Sequence, residues 1–279
     1  MPSLATARSF LFAPGSDEGK LRKALGAGAD AVVADLEDAV LADEKPRARS
    51  VVTGVLAAPA PCLRLVRVNR AGSPWFDDDV AALAGLGLDG VVLPKATPEA
   101  AVALAGAGLP VAAIVETAAG LRDVHALAVA PGVAALVLGA VDLGLDLGLE
   151  PRPDGLELLH ARSSLVVAGA AAGLRGPVDQ VWLDVRDGEG LVRDCRLGRS
   201  LGFRGKACIH PAQVEVVNES FSPSPSELLR ARDVVAAYER AASEGKGAVA
   251  LGGELIDLPV VERARQVLAD AKRGVLHVD

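Results

Sequence analysis

The chain has 279 residues; 51% are hydrophobic, only 3% are aromatic, and the formal net charge is −7. A core drawn from Ala, Val and Leu suits buried parallel strands under Ala-rich helices. So few aromatic rings argue against single-stranded nucleic-acid binding, and without a long basic run the chain is not expected on duplexes or membrane surfaces.

No stretch of about 18 uncharged apolar residues reads as a membrane span, and Met1–Ser9 lacks the apolar centre of a signal peptide. Cys62, Cys195 and Cys208 are an odd number without metal-ligand spacing, which reads as reduced thiols in a cytoplasmic protein. Cys208, near a candidate site, is read as a small buried apolar residue.

In chain order, short apolar runs are predicted as strands at Ser9–Ala13, Ala31–Ala34, Cys62–Val68, Gly90–Leu93, Val111–Val115, Ala135–Leu138, Val178–Leu183 and Gly205–Ile209. Helical patterns fall between them, at Glu18–Gly26, Lys45–Ala57, Asp77–Gly85, Pro98–Ala105, Ala118–Ala128, Asp154–Ala172 and Leu191–Leu201. This alternation predicts an α/β parallel sheet. Eight units in roughly 210 residues fit a (β/α)8 TIM barrel. The alternative, a doubly wound open sheet, lacks its Gly-rich fingerprint after the first strand, where Ala13-Pro-Gly-Ser16 stands. The barrel is assigned to residues 1–220 and a C-terminal helical extension, packing on the barrel or on a neighbouring subunit, to 221–279. In that tail a turn-rich Ser222–Ser226 precedes a helix Glu227–Ser243 with Ser226 as N-cap. A flexible stretch with Gly245, Gly247, Gly252 and Gly253 follows, and then a last helix, Pro259–Lys272.

Polar residues follow each apolar run: Pro14-Gly15-Ser16, Asp35-Leu36-Glu37-Asp38, Arg67 with Asn69, Pro94-Lys95, Glu116-Thr117, Asp142, Asp184 and His210-Pro211. A ring of charge at the C-terminal ends of barrel strands is where such folds place their chemistry. Each residue also has an ordinary structural reading. Arg67 and Lys95 neutralise nearby acids, Asp35, Glu37 and Asp38 cap the next helix, and His210 is a hydrogen-bonded loop residue. Glu116 and Asp142 follow strongly apolar runs, and a shared hard divalent cation resolves their mutual repulsion.

Taken together, these segments resemble the citrate lyase beta subunit-like family, within the wider group of HpcH/HpaI aldolases and malyl-CoA lyases. The matching pieces are Arg8-Ser-Phe-Leu-Phe-Ala-Pro-Gly15, Asp35-Leu-Glu-Asp38, Arg67-Val-Asn69, Leu93-Pro-Lys95, Glu116-Thr117, Gly139 through Asp142-Leu143, Gly205-Lys-Ala-Cys-Ile-His-Pro211 and Gly253-Glu-Leu-Ile-Asp257-Leu-Pro259. They run in order from about residue 8 to about residue 270.

The resemblance implies a TIM barrel with a C-terminal helical extension, commonly a homotrimer. It implies Mg2+ held by Glu116 and Asp142, with waters and an α-keto acid completing the shell. Arg67 would contact the substrate, and Pro14, Gly15 and Lys45 would lie near the CoA portion. Asp257 would reach a neighbouring subunit's active site, Asp35 would join Arg67 and Asp257 as a catalytic group, and Lys95 would give electrostatic support. Ala140 and Val141 follow Gly139 where relatives often carry a small-residue pattern; their backbone N–H groups would meet a substrate carboxylate.

The implied reaction is Mg2+-dependent cleavage of a 3-hydroxyacyl thioester (citryl-CoA, malyl-CoA or citramalyl-CoA) into acetyl-CoA or another acyl-CoA and an α-keto acid such as oxaloacetate. Alternatives are a malate synthase or thioesterase-type acyl-CoA enzyme on the same site, or a non-catalytic subunit alongside citrate lyase partners. A phosphate-binding barrel enzyme would want a Gly-rich loop where Asp184-Val-Arg-Asp-Gly188 and His210-Pro-Ala-Gln213 stand.

Overall fold

The computed structural model describes residues 3–274, with side chains to 271; Met1 and Pro2 of the N-terminal segment, and residues 275–279, lie outside the described residues. The elements run β1 (Ser9–Pro14), α1 (Glu18–Leu25), β2 (Ala31–Asp35), α2 (Lys45–Leu56), β3 (Leu63–Arg67), α3 (Phe76–Leu83), β4 (Gly90–Leu93), α4 (Pro98–Ala105) and β5 (Val111–Val115). They continue with α5 (Ala118–Arg122), α6 (Val124–Ala128), β6 (Val133–Leu138), α7 (Ala140–Leu147), α8 (Leu159–Ala171), β7 (Val178–Asp179), α9 (Gly188–Leu201), β8 (Gly205–Cys208) and α10 (Val214–Ser220). Strands β1 to β8 close into a barrel in sequence order, every pair parallel. The expected (β/α)8 barrel is thus the observed one.

Alternation along each strand sorts side chains into two layers. Phe10, Ala31, Val33, Leu63, Leu65, Val92, Ala112, Ile114, Ala135, Val137 and Val178 fill the barrel interior. Their neighbours Leu11, Val32, Val66, Val91, Ala113 and Leu136 pack outward against the helices. Burial on both faces explains why the strands read as continuous apolar runs.

Several boundaries differ from the sequence reading. Strand β7 ends at Asp179 rather than Leu183, because the Gln213 side chain takes over beyond it. Its amide donates to the Trp182 carbonyl (2.8 Å) and its oxygen accepts from Ile209 N–H (2.9 Å), standing in for the strand ladder. The expected helix Ala118–Ala128 breaks at Asp123 into α5 and α6. Helices α7 and α10 have no counterpart among the predicted helical patterns.

The chain divides into two compact units between Phe221 and Ser222. The second unit holds α11 (Pro225–Ser243), β9 (Val249–Leu251), β10 (Glu254–Ile256) and α12 (Leu258–Gly274), around Ala231, Val234, Ile256, Val261 and Ala264. Ser224, not Ser226, caps α11, in a reciprocal box with Glu227. The glycine-rich stretch forms an antiparallel hairpin: Gly252 and Gly253, at φ 61° and 87°, make the two-residue turn that the twist of such a hairpin favours. Among the described residues no helix is long and apolar enough to cross a membrane.

Between barrel and helices lies a buried group of four charges. Arg162 on α8 donates to Asp179 (3.0 and 2.9 Å) and to Asp194 on α9 (2.7 Å), while Lys206 on β8 meets both acids. Burial works against ionisation of Asp194, but Lys206 and Arg162 outweigh it and hold its carboxyl below the ordinary value of 3.8. Breaking such a set strands a buried charge. Asp194→Asn is therefore expected to lower unfolding free energy by about 3–5 kcal/mol at pH 7 in urea titrations. Because the folded-state value is depressed, that advantage is complete above the ordinary value of 3.8 and is lost as pH falls below it. Wild type and variant should converge in acid; a gap unchanged at pH 3 would remove the carboxylate from the explanation.

Candidate functional site

The inward alternation of the strands, followed to the C-terminal rim, sets Pro14, Asp35, Arg67, Glu116 and Gly139 in one layer. Register confirms part of it: Pro14 faces Asp35, and Asp35 faces Arg67. These five line a cavity of about 480 Å3 together with Asp38, Ala140, Val141 and Asp142, over an apolar floor that includes Phe12, Ile114, Val137 and Ala207.

Arg67 is held flat by Asp35: Nε donates to Oδ1 and Nη2 to Oδ2, both at 2.7 Å. Its remaining nitrogen, Nη1, lies 3.0 Å from Glu37 and 3.3 Å from the exposed Asp38. The guanidinium stacks over Phe12, 5.5 Å from the ring centre. Burial opposes its charge, but Asp35 and the other acids more than offset this and raise its pKa. Asp35 also accepts from the N–H groups of Glu37 (2.9 Å) and Ala39 (3.1 Å), so all its acceptor sites hold Arg67 and the rim loop.

Glu116 extends β5 into the cavity. Burial pushes its carboxyl up to about 7, against the opposing pull of Lys95, whose backbone N–H donates to Oε1 at 2.7 Å. Gly139 makes room for it: a Cβ there would sit 2.5 Å from the Glu116 Cβ and 2.6 Å from Oε2. Asp142 is placed by the first turn of α7, which begins directly after Gly139. The first N–H groups of that helix, at Ala140 and Val141, have no partners within the helix and stand at the cavity.

The Lys95 ammonium lies among three acids: 2.9 Å from Asp142 Oδ2, 3.2 Å from Glu37 Oε1 and 3.8 Å from Glu116 Oε1. Among the described residues Lys95 is the one non-glycine at positive φ (45°), a conformation that costs about 1–2 kcal/mol.

Other expected residues sit differently. Gly15 packs so closely that a Cβ would meet the Asp35 carbonyl at 2.7 Å. Lys45 is buried away from the cavity lining; its ammonium donates to the carbonyls of Leu36 (2.8 Å) and Glu37 (2.9 Å) and stacks over Trp75. It braces the loop that carries Asp35 to Asp38. His210 accepts from Ala212 N–H at 3.1 Å and caps a short turn. Asp257 belongs to the second unit, at the start of α12, where it accepts from Val260 N–H. Glu37, absent from the expected site residues, meets both Arg67 and Lys95; the signal was the acid-rich Asp35–Asp38 run, whose loop geometry a strand pattern does not reveal.

Among the described residues no group of three or more His, Cys, Asp or Glu side chains is arranged for a metal. The pair Glu116 and Asp142 fits a hard divalent cation nonetheless. Both donors are carboxylates, and such ions are often held by one or two carboxylates plus waters and substrate oxygens. The arrangement is suited to gripping a small oxygen-rich ligand in the cavity, among the two carboxylates, Arg67 and the first residues of α7.

The family model for HpcH/HpaI aldolase/citrate lyase matches residues 8–211. A protein of Cereibacter sphaeroides named (3S)-malyl-CoA thioesterase is 41% identical over 95% of this chain and 94% of its own length. The mitochondrial citramalyl-CoA lyase of Homo sapiens is 35% identical over 94% of this chain and 84% of its own. The crystal structure of CitE from Mycobacterium tuberculosis in complex with magnesium, acetoacetate and coenzyme A superposes with a TM-score of 0.84 at 35% identity, covering 96% of this chain and all of that one. On this evidence the chain belongs to the HpcH/HpaI aldolase/citrate lyase family.

Proposed function

We propose that this protein is a magnesium-dependent carbon–carbon lyase acting on a 3-hydroxyacyl-CoA. The observation that supports it most is the Glu116–Asp142 carboxylate pair in the lining of the barrel-mouth cavity, beside a guanidinium fixed by Asp35. A relative named citramalyl-CoA lyase and a CitE structure with magnesium and coenzyme A support the same reading.

Bound between Glu116 and Asp142, magnesium would supply Lewis-acid stabilisation of the oxygen on the cleaved carbon. Cleavage removes the 3-hydroxyl proton to a base and breaks the C2–C3 bond. The O–H electron pair becomes the carbonyl of a 2-oxo acid, and the C2–C3 pair passes into the thioester enolate. Arg67 places a permanent positive charge beside the developing enolate, and Asp35 holds it there without reorganisation during the step. The N–H groups of Ala140 and Val141 orient the oxo-acid carboxylate, while Pro14 and Gly15 border the thioester arm. Asp257 delivers a proton to C2 and completes the acyl-CoA; a homotrimer in which it serves a neighbouring copy is part of this reading. Lys45 acts by bracing the Asp35–Asp38 loop rather than by touching CoA.

A thioesterase reading is favoured by the 39–41% identical relatives of that name. Product analysis separates the two. A lyase turns malyl-CoA or citramalyl-CoA into acyl-CoA and an oxo acid, whereas a thioesterase releases free CoA and the hydroxy acid.

Calorimetry should show magnesium-dependent binding of a 2-oxo acid to wild type and none to Glu116→Ala; binding that survives in the variant removes Glu116 from the metal site. Arg67→Lys should lower kcat by about 100-fold or more with metal binding intact, because lysine keeps charge but loses the forked contacts to Asp35; an unchanged kcat would place the enolate elsewhere. Of the described residues lining the cavity Arg67 is the one cation, against Asp35, Asp38, Glu116 and Asp142, and the nearby Lys95 is already shared among Glu37, Glu116 and Asp142. A second carboxylate on the oxo acid therefore lacks a positive partner there. In the condensation direction glyoxylate or pyruvate should exceed oxaloacetate in kcat/KM by about tenfold or more; an oxaloacetate preference would contradict that charge argument.

A further inference from the structure

We propose that the Lys95 ammonium is the resident counter-cation of the rim carboxylates and gives up Asp142 when the divalent cation binds. The displacement half of this rests on the metal reading above; the counter-cation half stands on the contacts alone.

An ammonium has three donors, and three carboxylates surround this one: Asp142 at 2.9 Å, Glu37 at 3.2 Å and Glu116 at 3.8 Å. Glu37 and Glu116 are buried. Without a cation in their midst the three acids repel one another in a poorly solvated pocket. Lys95 serves the group twice over. Its left-handed backbone turns the N–H onto Glu116 Oε1, and its side chain closes onto Asp142. A strained backbone at a residue that ties two metal-competent carboxylates together is a device of position.

The same carboxylates, Glu116 and Asp142, would hold a divalent ion, and two cations sharing them repel. The two rim cations differ in their freedom to respond. Arg67 is clamped by the paired bonds to Asp35. Lys95 sits on a flexible four-carbon stem with a side chain 32% exposed, and it keeps Glu37 as a partner after leaving Asp142. Lys95 can thus move off Asp142, whereas Arg67 cannot leave Asp35.

The test uses the full chain and two variants. Lys95→Asn removes the ammonium while keeping a residue that tolerates left-handed backbone; Lys95→Arg keeps a cation. With EDTA present, Lys95→Asn should melt about 2–6 °C below wild type, and Lys95→Arg should recover most of that loss. At saturating magnesium the deficit of Lys95→Asn should shrink. Magnesium alone, titrated by calorimetry, should bind Lys95→Asn at least about threefold more tightly than wild type. Equal or weaker magnesium binding in Lys95→Asn, or a melting deficit identical with and without magnesium, would overturn the displacement. A missing deficit in EDTA, or one that arginine does not repair, would overturn the counter-cation role. Wild type that binds no magnesium would sink the metal reading and displacement together, leaving the EDTA comparison to decide the counter-cation role separately.

Discussion

A closed barrel of eight parallel strands, buried on both faces, leaves few places where a charge is tolerated. Inside the barrel the interior layer is Phe, Val, Leu, Ile and Ala, with no room for an unpaired polar group. Charges therefore collect where the inward row runs out, at the C-terminal rim, or between strand and helix where each meets an opposite charge. The first place produces the cavity that holds Glu116 and Asp142. The second produces the Arg162–Asp179–Asp194–Lys206 set.

These two groups of charges obey different rules. The set behind β7 and β8 is balanced, two acids against two bases, and its members have their partners within the fold. The rim is unbalanced: Asp35, Glu37, Asp38, Glu116 and Asp142 face Arg67 and Lys95. Packing forces do not call for such an excess of negative charge in a half-buried cavity. It is consistent with a site completed by an external cation; burial pushes the Glu116 carboxyl up to about 7, against the pull of Lys95. Rigid and yielding parts are distributed accordingly, with Arg67 clamped and Lys95 on a flexible arm.

Much of the barrel was legible because burial on both faces writes itself into the sequence as apolar runs, and the strand–helix alternation then admits few topologies. The elements that escaped lack that imprint. Helix α7 is interrupted by glycine at 144 and directly follows Gly139, so its pattern reads as loop. Strand β7 was overextended because Val181 and Leu183 look like strand residues, while a glutamine side chain thirty residues on takes the backbone bonds. The tail glycines read as flexible, yet two of them supply the positive φ that a tight hairpin requires.

From its sequence alone, this protein's strand order and the placement of Asp35, Arg67 and Glu116 at strand ends followed from periodicity, which is a local property, while its family resemblance lay in motifs that keep their order along the chain. Only the tertiary structure decided which charges meet. Lys95 finds Glu37 and Asp142 at separations of 58 and 47 residues. Lys45 turns beneath the loop instead of toward the cavity, and Glu37 meets both Arg67 and Lys95. Such pairings depend on barrel closure and loop path, because a side chain's partner is set by where other strands end and not by its neighbours in the chain.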